Sequence, residues 1–200
     1  MSHPVDNIKK IIDITPEMEA GIRDMLTVKT FRRGDTIRGK HRFESLSFYI
    51  SKGAARVFYT RMGREHTYSF AFDDEYITVP MSLIKMDDAT ITVEFLEKTD
   101  VIFLPLDDFR TIVRDFGQEH IAEVSSYIIA TLFEHTRLIE ERLLTLQSMS
   151  APERYRWFTE RYPAVVERAT ITQIASYLGV TKETLYRIRA GKYNPKNKQN

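Results

Sequence analysis

The residues best equipped for chemistry lie near the C-terminus, in Ile171-Thr172-Gln173-Ile174-Ala175-Ser176-Tyr177-Leu178-Gly179-Val180-Thr181-Lys182-Glu183-Thr184-Leu185-Tyr186-Arg187-Ile188-Arg189. Lys and Arg donate to the O6/N7 edge of guanine, and Glu accepts from cytosine N4. Lys182, Glu183, Thr184, Tyr186, Arg187 and Arg189 fall on the open side of a helix that Thr181 can cap, with Lys192 just beyond. Such a helix meets base edges with its first turn and phosphates with its later basic residues. A second helix must position it. Thr170 and Gln173 form a capping-box start, Ala175 is small where two short helices cross, and Gly179 tolerates the positive φ of a tight turn. Ile174, Leu178, Val180, Leu185 and Ile188 then face each other. These are helix-turn-helix offsets; the plainer alternative is a helical hairpin that only packs.

The charge distribution agrees with an anionic partner at this end. The 200 residues carry a formal charge of +1, but the average conceals a gradient. Residues 1–110 hold 16 basic and 18 acidic groups, whereas 168–200 hold seven basic groups and one acidic. Other chemistry is thin. There is no cysteine, which excludes disulfides, thiol catalysis and Cys-ligated zinc or iron–sulfur sites. His3, His41, His66, His120 and His135 have no metal-binding spacing, and phosphate loops and nucleophile elbows are missing. Asp73, Asp74 and Glu75 are contiguous, which suits a solvated turn better than an acid/base pair.

The elements that must carry this unit read as α+β. Residues 5–26 have helical spacing, with a helix start at Thr15-Pro16-Glu17. Runs at 46–50, 54–60, 66–72, 90–96 and 100–104, rich in Val, Ile, Thr, Phe and Tyr and parted by turns, predict a β-sandwich or jelly roll. Residues 118–147 lack Pro and Gly, and Ile121, Val124, Ile128, Leu132, Ile139, Leu143 and Leu146 make one apolar stripe. A rod of roughly 45 Å needs a partner, and a second copy of itself is the simplest. Ser148-Met149-Ser150-Ala151-Pro152 reads as a hinge, followed by a helix to about Arg161.

A β-rich N-terminal half, a long connecting helix and Ile174-Ala175-x-x-Leu178-Gly179-Val180-Thr181-x-Glu183-Thr184-Leu185-x-Arg187 together resemble the Crp/Fnr family of bacterial transcription regulators. Tyr155-Arg156-Trp157-Phe158 before Tyr162-Pro163, with the tail Arg187-Ile188-Arg189, looks like the branch common in Bacteroidetes-type genomes. The resemblance implies a cyclic-nucleotide-binding-like β-roll sensor over 1–114, a dimerisation helix over 115–147 and a winged helix-turn-helix over 148–200. The short segment from Val165 to Thr170 leaves room only for an abbreviated wing. The implied partners are a palindromic double-stranded DNA operator, a second copy of the chain, a small effector and RNA polymerase. No cofactor, metal or enzymatic activity is implied. Lys182, Glu183 and Arg187 occupy the family's base-reading positions.

The effector cassette departs from the family. Glu75 stands where a ribose-holding Glu belongs, but Asp74 replaces Gly, and no Arg occurs between Arg64 and Arg110. Ala89 falls at the phosphate-binding Arg position and Thr90 at the hydroxyl position; Lys85 replaces a bidentate Arg poorly. Cyclic AMP is therefore not the expected ligand. Glu75, Ser82, Thr90 and Thr136 remain the candidate effector contacts, Thr136 alternatively setting helix register. The N-terminus lacks the apolar core of a signal peptide and no apolar run is long enough to span a bilayer, so a cytoplasmic location away from membranes is expected. A competing reading is a ligand-binding or cupin-like jelly-roll enzyme whose C-terminal helices only support a dimer.

Overall fold

The computed structural model describes residues 3–38, 47–79, 90–103 and 120–194. Ser82, Lys85 and Ala89, the expected start of the long helix and the end of the basic tail lie outside them. Among the described residues, two short helices, α1 (Pro4–Lys9) and α2 (Pro16–Met25), precede eight strands. These are β1 (Thr27–Phe31), β2 (Thr36–Arg38), β3 (Ser47–Lys52), β4 (Ala55–Arg61), β5 (Arg64–Ala71), β6 (Glu75–Thr78), β7 (Thr90–Phe95) and β8 (Thr99–Phe103). The described residues after them form α3 (Ile121–Ser148), α4 (Ala151–Arg161), α5 (Val165–Arg168), α6 (Ile171–Leu178) and α7 (Lys182–Arg189).

The strands form two antiparallel sheets, ordered β1-β8-β3-β6 and β2-β7-β4-β5. Alternation decides what each sheet buries. Phe48, Ile50, Ile77 and Val101 from the first sheet meet Val57, Ile91, Val93 and Phe95 from the second to form the inner core. Tyr49 and Ile102, one residue out of phase, point to the other face, where α1, α2 and Tyr127 of α3 cover them. The outer side of the second sheet supplies Ala54, Phe70, Phe72 and Leu96, and these join Phe158, Val165, Ile174, Tyr177 and Leu185 in a second core. The C-terminal helices therefore share a hydrophobic core with the β-roll.

Gly53 is held where only glycine fits. Its φ is +115°, and a Cβ there would sit 2.6 Å from the Thr99 Cα. Gly63, at φ +71°, has open space around it. Gly53→Ala is expected to lower the urea-unfolding free energy by about 2–3 kcal/mol, and Gly63→Ala by about 1 kcal/mol. Equal effects would show that backbone strain alone, without the clash, sets the cost.

Candidate nucleic-acid interface

Local capping builds the α6–α7 pair. The Thr170 Oγ1 accepts from the Gln173 N–H at 3.3 Å, while the Gln173 side chain accepts from the Thr170 N–H at 2.8 Å. Gly179 closes α6 at φ +67°, and the Val180 N–H reaches back to the Ala175 carbonyl at 3.0 Å. The Thr181 Oγ1 accepts from the Thr184 N–H at 3.1 Å, starting α7. Ile174, Ala175, Leu178 and Leu185 are buried, whereas Val180 and Ile188 are half-buried.

What remains outward is the set expected from sequence. Thr181, Lys182, Glu183, Tyr186, Arg187, Arg189 and Lys192 are exposed and Thr184 is half-buried. Lys182 lies 5.8 Å from the Tyr186 ring. No ion pair with another described residue ties down Lys182, Arg187 or Arg189. An exposed, unneutralised basic helix face is what a phosphate-bearing partner requires. No strand occurs within the described residues 148–194, and the segment expected to supply a wing folds instead as the helical turn α5. The reason is local: the Val165 side chain is fully buried in the second core, and the Ala169 N–H bonds to the Val165 carbonyl at 2.9 Å.

The pair is docked on the β-roll. β5 is an edge strand, and the Ser176 Oγ accepts from its Thr67 N–H at 2.8 Å and donates to its Glu65 carbonyl at 3.0 Å. Arg142 of α3 donates to the Thr67 carbonyl at 3.0 Å, to the Tyr177 carbonyl at 3.2 Å, and to the Tyr68 carbonyl. Its guanidinium also stacks 4.3 Å from the Tyr177 ring. Arg168 bonds Asp73 at 2.6 Å and Glu97 at 2.5 Å. Burial opposes ionisation of Asp73, but Arg168 and the Gly53 N–H outweigh it and hold this carboxyl below its ordinary range. Buried Arg56 bridges Glu94 and Glu65, and Glu94 also accepts from Gln173. Sequence reasoning missed Arg142, Arg56 and Arg168: an arginine in a polar helix or strand face reads as solvated until the opposing element is known.

The candidate effector residues are not brought together. Glu75 accepts from the Phe72 N–H at 2.9 Å across the Asp73-Asp74 turn, and burial pushes its carboxyl above the usual range despite that bond. Thr90 begins β7 opposite Thr60, in the other sheet. Thr136 is exposed and donates to the Leu132 carbonyl at 2.8 Å. Instead, a cavity of about 290 Å³ opens between β5, β6, α1, α3 and the C-terminal helices, lined by residues that include Tyr68, Ser69, Tyr76, Tyr127, Arg142 and Tyr177. Glu75, Thr90 and Thr136 are not among its lining.

Two facing antiparallel sheets, a long helix and a terminal helix pair are an arrangement found in known structures. The chain has the fold of Crp/Fnr regulators. A protein assigned to that family, from Eubacterium rectale, superposes with a TM-score of 0.65 at 18% identity, over 90% of this chain and 83% of that one. A CooA mutant from Carboxydothermus hydrogenoformans gives 0.61 at 15%, covering 90% and 85%. FixK2 from Bradyrhizobium japonicum gives 0.59 at 18%, covering 83% of each. Neither a protein-family model nor a curated protein matches the sequence. The α+β fold, with its antiparallel sheets and long helix, agrees with what the sequence led us to expect; the winged C-terminal unit is not shown among the described residues. No helix among the described residues is long and apolar enough to cross a membrane, and no group of three or more His, Asp or Glu among them suits a metal.

Glu75 offers a test of what its buried carboxylate does to the stability of the β-roll. Its folded-state pKa is raised, so the ionised form costs stability above that pKa and the cost vanishes on protonation. Glu75→Gln keeps an acceptor for Phe72 and removes the charge. Its melting temperature is expected to exceed the parent's at pH 7, with the gap closing below about pH 4. A lower value at pH 7 would show that the charge itself supports the fold.

Proposed function

We propose that this chain is a homodimeric, DNA-binding transcription regulator of the Crp/Fnr type, with an effector-sensing β-roll (1–114), a dimerisation helix (115–147) and a helix-turn-helix unit (148–200). The observation that carries it is the α7 surface: a capped helix, anchored by a fully buried Leu185, that turns Lys182, Glu183, Tyr186, Arg187 and Arg189 to solvent. Lys182 and Glu183 in its first turn would read base edges, and Arg189 and Lys192 would hold phosphates.

Dimerisation is supported by what α3 leaves uncovered. Of its 28 residues only Tyr127 and Thr145 are buried, while Leu132 is 60% and Phe133 74% exposed, alongside Ile129, Leu143 and Leu144. A stripe of this kind on a helix of roughly 42 Å is stable in water only against a partner. A second copy of α3 would relate two α7 helices by a two-fold axis, the geometry that matches a palindromic site. The cleft beside Thr181, Lys182 and Thr184 has Arg64, Glu65 and His66 of β5 as its other wall. DNA seated on Lys182 would meet that hairpin, so the helical unit is expected to swing at Met149, which is extended between α3 and α4. Two observations argue against cyclic AMP as the effector. Glu75 is engaged with the Phe72 N–H, and the nearby Asp73 is negative and bound to Arg168.

Lys182→Ala and Arg187→Ala should each weaken binding to a duplex selected from genomic fragments by about 1–3 kcal/mol, measured by fluorescence anisotropy across a salt series. Unchanged affinity in both would overturn the assignment of α7. Leu132→Asp should convert a sedimenting dimer to monomer without loss of far-UV helicity; a persistent dimer would place the interface elsewhere.

A further inference from the structure

Where the helical unit meets the β-roll, its arginines are matched by acids. Arg168 of α5 is met by Asp73 and Glu97, and Arg56 of β4 by Glu65 and Glu94. The cleft beside α7 breaks this pattern. Arg64, Glu65 and His66 of β5 form one wall, and Thr172, Thr181, Lys182 and Thr184 of the helix pair form the other. Ser176, which also lines the cleft, ties the two walls together: its hydroxyl accepts from the Thr67 N–H at 2.8 Å and donates to the Glu65 carbonyl at 3.0 Å.

Two cations of this cleft lack a carboxylate. Arg64 and Lys182 are exposed, line opposite walls, and make no ion pair with another described residue. The acid in the lining, Glu65, is taken by Arg56 at 2.8 Å. Like charges on facing walls disfavour the docked arrangement, and an anion between them reverses the sign of that contribution. The Thr184 Oγ1 accepts from the Thr181 hydroxyl at 3.0 Å and so keeps its own proton to donate. These donors suit phosphate: the guanidinium fork of Arg64 can engage two oxygens, and Lys182 adds a point charge. A volume of about 740 Å³ exceeds what one phosphate fills, and cations on separate walls favour an anion whose charge is spread along a chain.

We propose that this cleft binds a polyphosphate anion, free or as part of a nucleotide, that bridges Arg64 and Lys182 and holds the helical unit against the β-roll. The regulatory half of this rests on the reading of α7 as a DNA-binding helix. Lys182 cannot serve the anion and a base edge at once, so anion and DNA exclude each other, each weakening the other's binding by the same factor. The site differs from the cassette at Glu75 and Thr90, neither of which lines the cleft.

Isothermal titration of the full chain with inorganic tripolyphosphate, orthophosphate and ATP separates chain length from nucleotide. Saturable binding of tripolyphosphate is expected, with orthophosphate at least about tenfold weaker. Tighter binding of ATP than of tripolyphosphate assigns the site to nucleotides, and weaker binding assigns it to the inorganic chain. Arg64→Ala changes an exposed residue, so its melting temperature should not fall, yet tripolyphosphate affinity should drop about tenfold. Arg187→Ala, outside the lining, should change that affinity less than about twofold. In fluorescence anisotropy, tripolyphosphate should weaken duplex binding by the parent chain and much less by Arg64→Ala, whose duplex affinity without the anion stays unchanged. No saturable binding of tripolyphosphate, unaltered binding in Arg64→Ala, or an equal loss in Arg187→Ala would overturn the inference. Arg64-dependent binding of tripolyphosphate by a chain that fails to retain DNA would overturn the regulator reading and leave the cleft assignment standing.

Discussion

The structure depends on how one exposed sheet edge is satisfied. β5 ends its sheet, and an edge strand presents backbone N–H and C=O groups that must find partners or water. Here two side chains do what a neighbouring strand would do. The Ser176 hydroxyl accepts from the Thr67 N–H and donates to the Glu65 carbonyl, and Arg142 donates to the carbonyls of Thr67 and Tyr68. Because Arg142 sits on α3 and Ser176 on α6, closing this edge fixes the long helix and the α6–α7 pair to the β-roll together. Charge-assisted bonds of this kind contribute roughly 1.5–3 kcal/mol each, and the aromatic core around Phe70, Phe158 and Tyr177 adds its burial.

With that edge closed, two surfaces stay unpaired. The apolar stripe of α3 is uncovered within the chain, and the basic face of α7 is unneutralised. One is apolar and the other basic, so the two cannot satisfy each other. The near-neutral total charge is thus a sum of a slightly acidic β-roll and a basic end. Docking uses part of that basic end internally: Arg168 is spent on Asp73 and Glu97, while Lys182, Arg187, Arg189 and Lys192 stay available.

Much of the fold was legible in the sequence where period and capping coincide with burial. The predicted runs at 54–60, 66–72 and 90–96 fall on β4, β5 and β7 because most of their buried residues are Val, Ile, Phe and Ala, flanked by turns. β1 and β2 escaped notice because they are short and mostly solvent-facing, so no alternation marks them. β6 carries no strand signature in the sequence, since Glu75-Tyr76-Ile77-Thr78 has polar ends and one buried residue, Ile77. The helical region 5–26 divides into α1 and α2 because Thr15 and Pro16 start a new helix.

The sequence by itself determined the local features. Thr170, Gln173, Gly179 and Thr181 specify the helix pair through hydrogen bonds and backbone angles that span only a few residues, and the stripe of α3 follows from helical period. Which face of α6 meets β5, which arginines are buried, and where a cavity forms were decided only by the tertiary structure. Those outcomes depend on pairs far apart in the chain: Thr67 with Ser176, Tyr68 with Arg142, Asp73 with Arg168. A single polar residue carries no mark of its distant partner, because the same Arg is solvated or buried according to what packs over it.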